Sequence, residues 1–424
     1  MSKPQPIYVD RSRYLDGQNC QRLRALSYET TNGEGQPQGW SPTKRKHYYE
    51  VGTTLHNALE KVALGGDPEE EAKRIWAFTE NLDAFDWGGG ESSLPPDLKA
   101  REAACWIEAA MWTWVIERLP WFKKEFEVVA VEKELQMPLG EFPCLARHFE
   151  YGLSNVSLPE IVYCIPEDAY GSSPDGELRR CPLCAGTGKR PVIWMSRPDM
   201  ILRRRSDRSL FVMDFKSSGF KEDAASLDLT LQHKVLVYAQ LAAVEHAYGE
   251  PVIGYLYEGF YKGQNREDKR LGFKRRYSPL AWAYCSPGDG LSRASVDAEN
   301  WRLGTARLIK DLPGWSIKDY VAEVLTPEQR QGQLMYSAES IGANPAQVGR
   351  WRLQVLGEEA KWQSWHAAGA DLNALPQNDD HCMRYRGEPC SYLSACWTEA
   401  VRCNPIGSGQ YVPRVPNHKP EAEI

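Results

Sequence analysis

Two aspartates and a lysine carry the most legible chemistry in this chain: Asp199 and, fifteen residues on, Asp214-Phe215-Lys216. The surrounding stretch, WMSRPDMILRRRSDRSLFVMDFKSSG, is two apolar runs joined by a short polar turn. Such runs read as paired antiparallel strands over 192–202 and 210–217, with SDRS as the hairpin. Asp214 and Lys216 are two apart, so both side chains leave the same face of their strand. Two carboxylates and a lysine at the edge of an apolar sheet suit a hard cation: Mg²⁺ takes oxygen ligands from one or two carboxylates plus substrate phosphate. A lysine beside such an ion can position a water nucleophile or stabilise charge on the phosphate. The chemistry this predicts is phosphodiester hydrolysis. A D-x-K in a strand, taken alone, is most often a solvated face. The preceding Pro198-Asp199, the hairpin spacing and the apolar neighbours of each charge favour a site.

Three further stretches narrow the reading. YYEVGTTLHNALEKVAL is a helical pattern with His56 near its start, and EFEVVAVEKELQMPL is an alternating strand carrying Glu132. SLDLTLQHKVLVYAQLAAVEHAYG is a long helical pattern carrying Gln232 and Tyr238. Together with Asp199, Asp214 and Lys216 these resemble the PD-(D/E)xK nuclease superfamily, and within it the RecB-type nucleases with their G-x-x-x-H helix. The resemblance implies that Asp199 and Asp214 hold Mg²⁺ or Mn²⁺, that His56 adds a nitrogen ligand and that Lys216 helps the attacking water. It makes Glu132 an aid to a second ion or to Lys216, and gives Gln232 and Tyr238 places at the site. The family's Gln and Tyr are usually four apart and here they are six apart, so they do not stack as an i, i+4 pair. For Tyr238, amphipathic packing is the competing reading.

The eleven cysteines supply a second constellation. The first residues, MSKPQPIYVDRSRYL, lack an apolar signal core. No stretch approaches the roughly 20 apolar residues of a membrane span. A soluble, cytoplasmic protein in a reducing compartment of a bacterial or phage-infected cell is expected, in which clustered cysteines suggest metal. Cys382, Cys390 and Cys396 fall within HCMRYRGEPCSYLSACW, while Cys20 stands near the start. One early cysteine with a late group of three resembles the iron–sulfur nucleases, among them the AddB nuclease domain and the CRISPR-associated RecB-like exonucleases. That resemblance implies a [4Fe–4S] cluster on four thiolates, clasping the two ends of the chain around the nuclease core. Zinc can take the same four ligands. Cys403 is a spare thiol nearby, and His381 a less suitable substitute. CPLCAGTG places Cys181 and Cys184 in a C-x-x-C knuckle similar to half of a DnaJ-type zinc module. A small zinc site completed by Cys144 and His148, or by Cys164, competes here with a turn carrying two idle thiols.

The elements that must position these residues follow from composition and pattern. The chain has 424 residues, 42% of them apolar, with 15 Trp, enough for one large domain with insertions or for two domains. The formal charge of −6 argues against a surface coated in DNA-binding charge. Basic residues are local instead: Lys44 to His47, Arg203 to Arg205, and Lys262 to Arg276 with interleaved aromatics, a pattern fit to track phosphates and stack bases. Helices are expected near 48–65, 68–82, 98–118 and 226–248. Strands are expected near 126–136, 192–203, 209–217, 251–261 and 271–284, with 294–380 mostly helical.

The fold class is therefore α/β, a PD-(D/E)xK restriction-endonuclease-like core with a mixed sheet flanked by helices. An N-terminal segment and helical subdomain (1–125) carries Cys20 and His56. The core spans 126–285 with a possible zinc-binding insertion at 138–190. A helical, metal-clasped region (286–404) carries the cysteine cluster, and a Pro- and Gly-rich tail (405–424) is expected to be disordered. The function expected is a metal-dependent DNA nuclease, an exonuclease on single-stranded or end-processed DNA in recombination, repair or phage DNA metabolism. The alternative is a catalytically inactive DNA-binding or assembly subunit of a recombination or CRISPR-adaptation complex. No helicase P-loop occurs in the sequence, so a motor would be a separate chain.

Overall fold

The computed structural model of the chain describes residues 4–30, 39–80, 82–87, 94–144, 184–185, 187–219, 221, 234–268, 273–285, 294–295, 305–336, 341–342, 344–376, 378, 382–384, 388–415 and 418. It is a mixed α/β structure around a five-stranded mixed sheet flanked by helices. Across the sheet the strands run Leu334–Tyr336, Val252–Tyr261, Leu210–Ser218, Met200–Arg204 and Phe126–Val131. The last three pair antiparallel. Val252–Tyr261 joins parallel to Leu210–Ser218, a pairing that needs a crossover, and the helix Val235–Tyr248 lies in that connection. Gly249 ends this helix with φ +68, the left-handed cap that a side chain would disfavour.

Alternation along the strands divides the interior in two. Met200, Leu202, Phe211, Met213 and Phe215 pack with the helices His47–Ala63, Pro68–Ala77 and Pro96–Glu117. Ile201, Leu210 and Val212 pack with Val235–Tyr248 and with Trp351 and Val355 of the helix Pro345–Ala367. The first of these helices buries Val51, Leu55, Ala58, Leu59 and Val62, a spacing that repeats each turn and turns one stripe to the sheet. Trp106, Trp112 and Trp114 are all buried in the same cluster. The helices thus share one core with the sheet.

Two expected strands are each broken, at facing positions. The strand expected over 192–203 divides into Lys189–Ser196 and Met200–Arg204. Pro198 has no N–H to give a ladder, so the pairing restarts beyond it. The strand expected over 126–136 divides into Phe126–Val131 and Leu135–Pro143, with Glu132 at φ +47 at the break. The Glu132 amide donates to the Asp199 carbonyl at 3.1 Å, tying the two breaks together. Beyond them both chains leave the central sheet for a second one, ordered Ile7–Val9, Lys189–Ser196, Leu135–Pro143.

Other expectations change in the later half. The strand expected over 271–284 is two pieces, Phe273–Tyr277 and Trp282–Cys285, in separate small sheets. Within the region read as helical, Thr305–Leu308 pairs with Trp282–Cys285, and Leu334–Tyr336 adds the fifth central strand. The tail expected to be disordered is in part ordered: Tyr411–Pro413 pairs with Trp40–Pro42, and His418 is buried within 3.5 Å of both Asp10 and Glu134. Edge pairing needs few residues, and Pro413 is tolerated at the strand end. Among the described residues, no helix is long and apolar enough to cross a membrane.

Candidate metal centre

Register brings the acidic pair together. Met200 pairs with Met213 across the antiparallel strands, and continuing by one residue sets Asp199 beside Asp214. Asp199 is not within a strand, as expected from sequence, but in the Pro198 break just before one. The Phe215 amide donates to Asp199 Oδ2 at 2.6 Å, locking the carboxylate to the neighbouring strand. Both carboxylates are buried, at 7% and 2% exposure. Lys216 Nζ lies 2.6 Å from Asp214 Oδ2 and donates to the Phe215 carbonyl at 2.9 Å. The alternation read from Asp-x-Lys therefore holds in space.

His56 reaches the pair from the helix. Its Nδ1 is 3.4 Å from Asp199 Oδ2, and its ring centroid lies 6.1 Å from that of Phe215. Gly52, one turn earlier, crosses the end of the Asp214 strand: a Cβ built there would be 3.9 Å from Ser217 Oγ. Burial first, then the positive charge of Lys216, pushes His56 down to about 4. The ring is neutral near pH 7 and free to act as a nitrogen ligand.

The carboxylates divide by environment. Burial and the negative charge of Asp214 push Asp199 up to about 7. Burial also works to raise Asp214, but the Lys216 charge and hydrogen bond, with Arg11 and His56, hold it below the ordinary value. The pair is thus uneven: Lys216 favours the charged form of Asp214, while burial and that charge favour a proton on Asp199. A donor set of two carboxylates and one imidazole fits a hard or intermediate divalent ion.

Glu132, expected on the first strand, lies just past its end, where Arg197 Nε pairs with its Oε2 at 2.7 Å. Tyr238 is buried in the apolar cluster that its helix shares with the sheet. Gln232 lies outside the described residues, as do Cys181, Cys164 and His148. Cys144 and Cys184 are both buried and flank the strand pair Leu135–Pro143 and Lys189–Ser196. The basic turn does not face the site as loose cations: Arg203 pairs with Glu250, Arg204 with Asp207 and Arg208 with Glu127.

Three site residues escaped the sequence reading. Glu60 follows His56 by four residues, and one of its ligand atoms lies within 4.8 Å of those of both His56 and Asp199. The H-x-x-x-E spacing was the available signal, since residues four apart share a helix face. Burial, then the charges of Glu132 and Asp199, pushes Glu60 up to about 8. Tyr255 hydrogen-bonds Asp214 from the parallel strand, and burial with that charge raises its phenol well above the usual value. Nothing local marks Tyr255, because its place depends on the crossover. Arg197 was in view as the residue before Pro198, but its pairing with Glu132 needs the two facing breaks.

A second assembly lies at the other constellation. Cys20, Cys382, Cys390 and Cys396 line one pocket with Arg22, Leu23, Leu26 and Tyr392. The Cys390 amide donates to the Cys382 carbonyl at 2.8 Å, and Arg22 Nη1 lies 3.7 Å from Cys396 Sγ. Cys403 is exposed. His381 lies outside the described residues. Set beside known proteins, the chain matches no family model and no curated protein.

Proposed function

We propose that the chain is a metal-dependent DNA nuclease of PD-(D/E)xK type, an exonuclease acting on single-stranded or end-processed DNA in recombination, repair or phage DNA metabolism. The observation that carries the reading is Asp214 on its strand with Asp199 beside it in the Pro198 break, with Lys216 Nζ 2.6 Å from Asp214 and His56 Nδ1 3.4 Å from Asp199. Asp199, Asp214 and neutral His56 are the residues that would hold Mg²⁺ or Mn²⁺. When bound, such an ion polarises a phosphoryl oxygen and makes a bound water more acidic. Lys216 holds Asp214 ionised and presents an ammonium donor to the attacking water or to a phosphate oxygen. Tyr255 hydrogen-bonds the Asp214 carboxylate from the neighbouring strand Val252–Tyr261. Water adds at phosphorus and gives up a proton to solvent, the P–O bond to the leaving sugar oxygen breaks, and that oxygen takes a proton from solvent to leave as a hydroxyl.

That Cys20, Cys382, Cys390 and Cys396 line one pocket supports a four-thiolate group there, a [4Fe–4S] cluster by the resemblance, with Arg22 beside Cys396 to offset the negative charge of the thiolates. Its role is structural, joining Cys20 to the C-terminal region. A brown protein with broad visible absorption supports iron; a colourless protein whose metal analysis shows zinc opposes it.

The deciding experiment purifies the chain anaerobically and incubates it with labelled single- and double-stranded DNA and Mn²⁺, beside Asp214→Ala. Cleavage that disappears in the variant and on adding EDTA is expected. Equal cleavage by both proteins removes the site. DNA binding without cleavage by the unaltered protein would favour a non-catalytic binding subunit.

A further inference from the structure

Tyr49, in the first turn of the helix His47–Ala63, keeps 57% of its surface exposed although a chain of rings gathers behind it. The Tyr48 ring centroid lies 4.5 Å from its own, and that of His47 lies 5.9 Å from Tyr48. Trp87, which is buried, stacks on His47 at 5.2 Å with the planes 22° apart. A single exposed aromatic is ordinary. One backed by other rings is a fixed surface, with little freedom left to lose on contact. Its place on the helix is also informative. Tyr49 and His56 are seven apart, so they lie within about 20° of each other around the axis and about 10 Å apart along it. Gly52 falls between them, where a Cβ would be 3.9 Å from Ser217 Oγ, so this stripe crosses the end of the Asp214 strand. Lys262 stands at the same end of the sheet. Its amide donates to the Ser218 carbonyl at 2.7 Å, and its charge is among those that lower His56. Lys44, exposed, precedes the chain of rings.

We propose that Tyr49 is the stacking platform for an unpaired base next to the scissile phosphodiester, with the Lys262 ammonium meeting a neighbouring phosphate, so that the strand held there is single-stranded DNA. This rests on the reading of the centre as a DNA nuclease. A flat ring open to solvent accepts the face of any base, whereas bases within a duplex offer only their edges in the grooves. The ring and the ammonium are continuous with the carboxylates, one along the helix face that carries His56 and the other beside the end of the Asp214 strand. The formal charge of −6 leaves little general attraction for DNA. Binding then depends on local contacts of this kind, and stacking makes them selective for a strand without a partner.

The test measures, by fluorescence anisotropy in EDTA, how the full-length protein binds a fluorescein-labelled oligodeoxythymidylate and a labelled blunt duplex. The unaltered chain is compared with Tyr49→Ala, Tyr49→Trp and Lys262→Ala. Tyr49→Ala should weaken single-strand binding about five- to a hundredfold, the range for one stacked base, and leave duplex binding unchanged, while Tyr49→Trp should keep both. Lys262→Ala should reduce the slope of log affinity against log salt by about one, and an unchanged slope overturns the phosphate contact. Single-strand affinity in Tyr49→Ala equal to that of the unaltered chain overturns the platform. An equal loss on both DNAs, or no single-strand binding by the unaltered chain, overturns it too. Failure of the nuclease reading looks different: the expected binding losses, with no cleavage by the unaltered chain in Mn²⁺, support the platform and oppose hydrolysis. Thermal melts confirm that Tyr49→Ala folds, and Tyr49→Leu, which keeps an apolar side chain beside Tyr48, replaces it if it does not.

Discussion

At the scale of single residues, the site works by opposing two pressures on carboxylates that nearly touch. Lys216 keeps Asp214 ionised while burial and Asp214 itself favour a proton on Asp199. Removing the ammonium leaves Asp214 buried with one fewer cation, so Lys216→Ala should cost activity beyond its local contact. Losses of about a hundredfold or more are expected for Asp214→Ala and for Lys216→Ala, since each tenfold is about 1.4 kcal/mol of barrier and metal-site electrostatics supply several; single-turnover cleavage measures this. The raised carboxyls also set a pH dependence of stability. Asp199 and Glu60 sit above their unfolded values of about 4, at about 7 and about 8. Their protonated forms therefore stabilise the fold fully in acid, and that contribution is lost as pH rises through those values. In EDTA the melting temperature should fall between about pH 5 and about pH 8, and saturating Mn²⁺ should flatten or reverse the slope. A melting temperature independent of pH in EDTA would remove the acid crowding. Asp214 and Lys216 were legible because period-2 alternation is local. Glu60 was not, because an acid on an amphipathic helix ordinarily faces water, and only Asp199, far along the chain, closes over it.

Elements matter here chiefly where they stop. The breaks at Glu132 and Pro198 let one pair of strands serve two sheets, and the Glu132 amide to Asp199 carbonyl bond joins them at the site. The sequence announced the apolar runs and the helices on either side, and the order helix, three strands, helix, strand is present in the central sheet. What it did not announce was the partition between sheets, since a strand in either environment shows the same alternation. Leu334–Tyr336 was hidden for a related reason: three residues are too few to show a period. The helices depend on buried stripes that also aim ligands. Leu55 is fully buried one residue before His56. Leu55→Ala should cost about 2–5 kcal/mol in chemical denaturation and weaken Mn²⁺ binding through the loosened helix. A variant as stable as the parent would show that this packing does not hold the helix in place.

The whole molecule is held at its extremities. Arg24 is fully buried between Glu29 at 2.8 Å and Glu359 at 2.6 Å, and His366 meets Glu29 at 3.0 Å, tying the first segment to the helix Pro345–Ala367. Taking away this cation strands the buried Glu359 carboxylate, while Glu29 keeps Arg13 and His366, so Arg24→Met is expected to destabilise by about 3–5 kcal/mol, read by urea unfolding followed by tryptophan fluorescence. If the four thiols hold one metal group, Cys20→Ser should lose its visible absorption and melt earlier, whereas Cys403→Ser should keep both; an unchanged spectrum in Cys20→Ser would refute the shared site.

This interlock also constrains how the molecule is born. Residues 7–9 wait for partners at 192–194, and residues 40–42 wait for partners at 411–413. At about 5–20 residues per second of synthesis, a nascent chain would spend on the order of tens of seconds with those edges unmatched. Arg11, whose charge helps hold Asp214 ionised, belongs to that early segment. The carboxylate pair therefore gains the Arg11 charge only after residues 192–194 have been made and have captured Ile7–Val9.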